Sequence, residues 1–471
     1  MVNPFFTFNR LLTTLLFLSI AIASFLMPAQ SDTWWQLRAG HEMWQTKHVL
    51  LHDTFSHTAY GVYWPNHEWL SQILFYGAYA VGGMPFVTMV AATAVMTAWL
   101  LVWRLTPGST RAKFLLTAFV IGTASTLWSP RPQVLSLLLL ALMMTLLSSR
   151  RYVWLPVVFL LWANLHGAVV MGLVLLGVAL VTSVVEHRKS FPALGLAFVG
   201  CLLATSATPL GLTFWTEIPK SLGRIRQLRI QEWAPPRVTS LLLLPFWIIA
   251  VALVGLAIVR ARELARDGDA CRRGYLTFCA CALTLLPLAV TAERNVPPFL
   301  LLAVPAIAVL IPLRKAGRQE GRKAGGQEGR KERLRLNAAI TAVAGALVVG
   351  TVAYAYAKPI EHMQWAPLPA ASLEALRTCR GNLYNRYDEG GYLIWFAPEH
   401  KVFLDGRQDP YPVDLVKDQV RVESTGDFER LFRRYDIHCA FVPGDSLVSA
   451  HLSAAGWTPL FRDAIWAVFR N

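Results

Sequence analysis

Long apolar runs separated by short polar segments fill most of the first 357 positions of this chain. A hydrocarbon core of about 30 Å takes roughly 17 to 25 apolar residues in a helix. Runs that meet or approach this length lie at 11–27, 84–104, 113–128, 132–148, 152–165, 167–186, 191–208, 241–260, 275–291, 297–313 and 337–357, and they predict eleven transmembrane helices. Two stretches of the first polar loop are amphipathic instead. Thr33 to Gln45 is one; Glu68 to Val81, with Ser71, Gln72, Tyr76 and Tyr79 on an otherwise apolar helix, is the other. Both are expected to lie along the membrane surface, with Trp34, Trp35, Leu37 and Trp44 partly embedded. From Lys358 to Asn471 the pattern changes to short apolar runs (GYLIWFAP, KVFLDGR, HCAFVP, AIWAVFRN) between polar helical stretches such as DFERLFRRYD, which predicts a small α/β domain. In that domain Gly390 and Gly391 read as a tight turn entering a strand, and Asp405, Gly406 and Arg407 as a turn leaving one.

Composition supports a polytopic membrane protein: 55% of the 471 residues are hydrophobic and 15% charged, and the mean hydropathy is +0.42. The net charge of +15 does not form a nucleic-acid patch, because the basic residues fall in short clusters between apolar runs. With the N-terminus inside, RLTPGSTRAK (104–113), SSRR (148–151), EHRKS (186–190), RARELARDGDACRRG (260–274) and the basic stretch 314–335 all become cytoplasmic, as the positive-inside rule requires. Counting Glu68 to Val81 as a span would reverse that agreement. The expected organisation is a membrane-embedded module at 1–313, a flexible basic cytoplasmic linker at 314–336 with QEGRK repeated eight residues apart, a last span at 337–357 and an extracytoplasmic domain at 358–471. The first apolar run follows Arg10 and lacks a convincing A-x-A site, so it reads as a retained span rather than a signal peptide. Six cysteines show no CxxC pair and no zinc spacing; only Cys379 and Cys439, both in the polar tail, are placed to pair.

Sidedness gathers the unusual polar residues on the outer face. The first outer loop holds Asp32, His41, Glu42, His48, His52, Asp53, His57, His67 and Glu68, and short turns hold SPRPQ (129–133), NLHG (164–167) and ERN (293–295). The loop 208–240 adds Lys220, Arg224, Arg226 and Arg229, against the charge rule. Those cations suit an anion such as lipid phosphate, or head-group anchoring, or ion pairs with Glu217 and Glu232. Asp32 stands at the membrane boundary, where a carboxylate must be paired or used. It can cap the helix ahead of Thr33, sit beside a lipid head group, or do both. The histidines show no HExxH spacing. His166, next to Asn164 in a turn between spans, is expected to face the same outer cavity.

This layout resembles that of the GT-C superfamily of membrane glycosyltransferases. The resemblance rests on Asp32 after the first span, on the two surface helices and on the outer domain, and DTWWQLRAG, WPNHEWL, SPRPQ, NLHG and FLDGR look like motifs of bacterial multi-span proteins grouped with it. It implies transfer of a hexosyl or pentosyl unit from a polyprenyl-phosphate sugar lipid to a glycan, lipid or protein acceptor at the outer face of the bacterial cytoplasmic membrane. Asp32 would take the acceptor proton. Arg224, Arg226, Arg229 or Arg294 would stabilise the departing phosphate, with Lys220, His166 and Asn164 also on the substrate side. Glu68 and His67 are the candidates for a second acidic group or a metal-assisting pair; a divalent metal is left open and no other cofactor is implied. Two departures stand out: Thr33, not a second carboxylate, follows Asp32, and SPRPQ carries no carboxylate. The competing expectation is a non-catalytic lipid- or glycan-binding component of envelope polysaccharide assembly.

Overall fold

A computed structural model describes residues 7–185, 190–228, 231–266, 275–311, 327–357 and 368–471. The membrane part runs α1 (Phe8–Phe25), α2 (Ser31–Thr46), α3 (Trp69–Leu105), α4 (Thr110–Ser125), α5 (Pro132–Ser148), α6 (Leu155–Leu165), α7 (Val169–Val185), α8 (Phe191–Thr205), α9 (Phe214–Leu228), α10 (Leu244–Arg266), α11 (Tyr275–Thr291), α12 (Val296–Leu310) and α13 (Gln327–Ala357). A helix stands at each expected span. Among the described residues, five helical stretches, Phe8–Phe25, Trp69–Leu105, Leu241–Arg260, Glu293–Leu310 and Leu336–Ala357, are long and apolar enough to cross a membrane, and five shorter apolar helices accompany them. The chain is therefore a multi-pass membrane protein. Among the described residues of the expected linker, 327–336 are helical and continue into α13; positions 314–326 lie outside the described residues.

Helix α3 is two arms. Gly82 and Gly83 leave helical geometry, and Gly83 has φ 65° with ψ −161°, a conformation that glycine adopts without a Cβ penalty. Pro85 follows in the first turn of the second arm, where its missing N–H costs nothing. The break separates the segment expected on the surface from the one expected to span. At the centre of the bundle, every residue of α12 except Val309 is buried, as an all-apolar helix demands. Its Phe299 shares one buried cluster with Trp99, Trp128, Trp162 and Phe246.

The tail contains α14 (Ala370–Arg377), β1 (Asn382–Asn385), α15 (Tyr387–Phe396), α16 (Val413–Thr425), α17 (Glu429–Arg434), β2 (Ile437–Pro443), α18 (Leu447–Ala454), β3 (Thr458–Arg462) and β4 (Trp466–Arg470). The sheet order is β1-β2-β4-β3, with β1 parallel to β2 and the other pairs antiparallel. Cys379 and Cys439 form a disulfide that joins the segment before β1 to β2. HCAFVP and AIWAVFRN are strands as expected. GYLIWFAP is not: it belongs to α15, which Asp388 and Glu389 open at a helix N-terminus, where negative charge is favoured. Gly390 and Gly391 serve close approach rather than a turn. A Cβ at Gly390 would lie 2.2 Å from the Leu404 carbonyl oxygen, and one at Gly391 2.1 Å from that of Ser31.

The loop between α1 and the second arm of α3 packs on this domain. Trp34, Trp35 and Leu37 are buried inside the protein, and only Trp44 is exposed. The Trp34 ring lies 4.6 Å from Phe396 and 5.8 Å from Trp395, and Trp35 lies 5.8 Å from Trp64. The expectation of embedded tryptophans fails because the tail offers these rings a drier contact than the interface does. Backbone pairing adds register: the Val402 N–H donates to the Phe55 carbonyl at 3.0 Å and the His57 N–H to the Val402 carbonyl at 3.1 Å. His57 Nε2 also meets the Leu383 carbonyl at 2.9 Å.

A buried charge cluster closes this junction. The Arg407 guanidinium, with 0% side-chain exposure, contacts Asp53 Oδ1 at 2.6 Å and Asp405 Oδ2 at 2.7 Å. Tyr411 OH donates to the same Asp405 oxygen at 2.5 Å, and the guanidinium lies over the Phe55 and Trp64 rings. Removing one member of such a group leaves bare charge in a dry site. Arg407→Met is expected to destabilise the protein by about 3–5 kcal/mol, read as a fall in the thermal midpoint of the detergent-solubilised chain. A midpoint within experimental error of wild type would show that the cluster carries no stability.

Candidate active site

A cavity of about 490 Å³ lies where one end of the helical bundle meets the tail. Asp32 reaches it from the first turn of α2. The N-cap of that helix is Gln30, with Thr33 completing the capping box, so Asp32 does not cap it. Its Oδ1 accepts from Trp35 Nε1 at 3.0 Å and its Oδ2 from Arg131 Nη1 at 2.7 Å. Arg131 comes from the SPRPQ turn and is aimed by Ser129, whose Oγ accepts from Nε at 2.7 Å. The second arm of the Arg131 fork donates to Glu232 Oε2 at 3.1 Å, and Arg294 Nη1 donates to Glu232 Oε1 at 3.1 Å. Arg294 is steadied by the Trp233 ring, 4.4 Å away. The result is an alternating chain of four charges: Asp32, Arg131, Glu232, Arg294.

Beside it is a second group. Glu68 Oε2 accepts from Gln36 Nε2 at 3.2 Å, and its Oε1 lies 3.5 Å from His166 Nε2 and 3.8 Å from His67 Nε2. Ser136 Oγ accepts from Trp162 Nε1 at 2.8 Å and lies 2.7 Å from His166 Nδ1. Where Ser136 donates to Nδ1, the imidazole proton stands on Nε2, facing Glu68.

Electrostatics differ between the members. Burial raises the Asp32 carboxyl above the ordinary aspartate range, against the pull of Arg131. Burial also raises Glu68, opposed by His67 and Arg294. Burial pushes Glu232 the same way, but Arg294 and Arg131 outweigh it and hold Glu232 below the usual glutamate value. His166 is held well below an ordinary histidine by burial, and Arg294, His67 and Arg131 add to the effect. A carboxylate of raised basicity beside paired guanidiniums can accept a proton while an anion is bound next to it.

The tail roofs this cavity. A Cβ at Gly406 would stand 2.1 Å from Asp32 Oδ1, and the Gly391 N–H donates to Ser31 Oγ at 3.0 Å. Away from the roof the walls turn apolar, with Leu137, Val170, Met171, Val174, Leu285 and Leu288 from α5, α7 and α11. Val174 and Leu288 are also exposed on the outside of the bundle.

Of the expected site residues, Asp32, His67, Glu68, His166 and Arg294 line the cavity together. Asn164 is structural: it accepts from Trp69 Nε1 at 2.8 Å and donates to the Ala207 carbonyl at 3.0 Å. Lys220 is exposed and pairs with Glu217 at 2.7 Å. Arg224 donates to the Asp409 carbonyl, tying α9 to the tail. The Arg226 side chain and Arg229 lie outside the described residues. Arg131 and Glu232 were not singled out from the sequence, although SPRPQ offered a signal in its cation between two prolines at the outer end of a span. Among the described residues no three of His, Cys, Asp and Glu are grouped to hold a metal ion.

No protein-family model matches the sequence, and no curated protein matches it. Solved structures do match the fold. The archaeal oligosaccharyltransferase AglB from Archaeoglobus fulgidus, in complex with an inhibitory peptide and a dolichol-phosphate, aligns over 92% of this chain and 69% of its own with a TM-score of 0.60 at 11% identity. ArnT from Cupriavidus metallidurans, bound to undecaprenyl phosphate, aligns over 96% of this chain and 97% of its own with a TM-score of 0.53 at 12% identity. Both neighbours are GT-C glycosyltransferases, and the chain has the GT-C fold.

The His166 shift gives a prediction of definite sign. Because the folded value lies below the ordinary one of 6.5, the unfolded chain binds the extra proton in the window between them, so stability falls as pH drops through that window and is unaffected above it. NMR of ring-labelled histidine in the folded protein should show His166 neutral at pH 6.5. Half-protonation there would contradict the burial described.

Proposed function

We propose that this protein is a GT-C-type glycosyltransferase of the bacterial cytoplasmic membrane, moving a sugar from a polyprenyl-phosphate donor to an acceptor hydroxyl at the outer face. The observation that carries the reading is the joining, in one cavity, of a half-buried carboxylate and two guanidiniums with an apolar wall from α5, α7 and α11. Such a site suits a ligand with a phosphate at the end of a hydrocarbon chain. The Cys379–Cys439 disulfide favours an oxidising, extracytoplasmic location for the tail.

In this mechanism the acceptor oxygen attacks the anomeric carbon as the bond from that carbon to the phosphate oxygen breaks. Asp32 takes the acceptor proton. The electron pair of the broken bond leaves with the phosphate, whose charge Arg131 and Arg294 stabilise, while Glu232 keeps the two guanidiniums side by side. Arg131 also links the two events. As it turns toward phosphate, Asp32 loses its counterion and becomes the stronger base.

Asp32→Asn keeps the shape and removes the base. Transfer is expected to fall on the order of 10²- to 10⁴-fold, measured by mass spectrometry of envelope glycans and lipid intermediates beside a deletion strain. If the Asp32→Asn strain matches wild type while the deletion alters the glycans, the protein acts without catalysis, as a lipid- or glycan-binding assembly component. Because burial raises the Asp32 carboxyl, the acid limb of the rate profile should lie above the ordinary aspartate range. Gly406→Ala should displace Asp32 and cost about 10²-fold in rate with the thermal midpoint nearly unchanged.

A further inference from the structure

The roof of the cavity contains an arrangement that the chemistry above does not use. Gln36 from α2 and Arg407, Gln408 and Asp409 from the tail all form part of the wall. Each holds a polar atom sealed from solvent and without a hydrogen bond among the described residues: Gln36 Oε1, Arg407 Nη1, Gln408 Oε1 and Asp409 Oδ1, the last of these 4.0 Å from Arg224 Nη1. Buried polar atoms are nearly always satisfied, and each exception calls for a reason. The same turn is strained, since Gln408 has φ 62°, in the left-handed region that glycine favours.

The identity of these atoms selects a ligand. The Gln36 amide nitrogen already donates to Glu68, and that of Gln408 donates to Tyr387 OH at 2.7 Å, so both amides leave their carbonyl oxygens over. With Asp409 this makes three acceptors and one donor, Arg407 Nη1. A phosphate has no hydrogen to offer three acceptors, and Asp409 would repel it. Hydroxyl groups both donate and accept. The cavity therefore has two unlike sides, a cationic one at Arg131 and Arg294 and an acceptor-rich one at the roof, and Gly406 places the roof against Asp32.

We propose that Gln36 and the turn Gly406–Asp409 form a sugar-binding clamp that takes the vicinal hydroxyls of a pyranose-like unit and repacks around them. The proposal rests on the glycosyltransferase reading. The sugar belongs either to the lipid-linked donor or to a glycan acceptor, and both present the same hydroxyl chemistry. Since the unsatisfied atoms are sealed, binding shifts the turn and relieves the strain at Gln408.

The test uses the full chain in lipid nanodiscs. Binding is measured for undecaprenyl phosphate, for the same lipid carrying a hexose or a pentose, and for methyl pyranosides, with hydrogen exchange followed at 406–409. If the sugar is the donor's, at least one lipid-linked sugar should bind on the order of tenfold more tightly than bare undecaprenyl phosphate. If it is the acceptor's, a methyl pyranoside should bind instead. In either case Gln408→Ala and Gln36→Leu should abolish that gain while leaving bare-lipid affinity at the wild-type value, which also shows that the variants are folded. Exchange at 406–409 should slow only with the sugar-bearing ligand. The clamp is overturned if bare lipid binds and no sugar adds affinity, or if both variants keep the full gain. Pyranoside binding that needs Gln408, without any binding of undecaprenyl phosphate, would keep the clamp and remove the polyprenyl donor. If no probe binds, both proposals fall.

Discussion

One guanidinium in a dry site sets the geometry of the rest. Arg407 stands between Asp53 of the loop after α2 and Asp405 of the tail, with no exposed side-chain surface on any of the three. The desolvation of three charges is costly, and only close, simultaneous contact repays it. The loop and the tail can therefore not dock loosely. Once they are in register, Gly406 is pressed onto Asp32 and the tryptophans of α2 are enclosed, so the position of the candidate base follows from an ion cluster on the far side of the same turn.

The cavity shows how charge is managed at a membrane boundary. Asp32 alone would be expensive there. It is balanced by Arg131, which is shared with Glu232, which in turn shares Arg294. The chain of four carries two charges of each sign, and Arg131 and Glu232 each use both ends of their fork, so the two cations are already oriented and can exchange one carboxylate for another anion with little movement. This keeps reorganisation small, and small reorganisation is where electrostatic stabilisation gains most.

Much of the architecture was legible because hydropathy writes long signals. Each expected span has its helix, and the boundary between surface arm and span was placed within a residue or two of the Gly82–Gly83 break. What escaped depends on partners distant in sequence. Trp34 and Trp35 satisfy the rule for an interfacial belt and the rule for a protein core equally well, and only the presence of Phe396, Trp395 and Trp64 decides between them. Gly390 and Gly391 look like turn residues until the Leu404 and Ser31 carbonyls that they must admit are known. Asp32, Glu68, His67, His166 and Arg294 converge as expected, because an outer position and a titratable side chain were enough to nominate them. Arg131 was passed over because a carboxylate was sought in its turn, and a counterion serves Asp32 as well.

The roof has a consequence for how the molecule is made. Asp53, Phe55, Trp35 and Trp64 leave the ribosome early, whereas Asp405, Arg407 and the Trp395–Phe396 pair that cover this region are synthesised after α12 and α13. Until then the loop holds apolar rings and a carboxylate with nothing to enclose them, the kind of surface that aggregates or attracts chaperones. The cavity also has no roof during this interval, and Asp32 is not yet confined. Completion of the cavity is thereby tied to synthesis of the tail, and a chain cut before it would insert in the bilayer without acquiring a closed cavity.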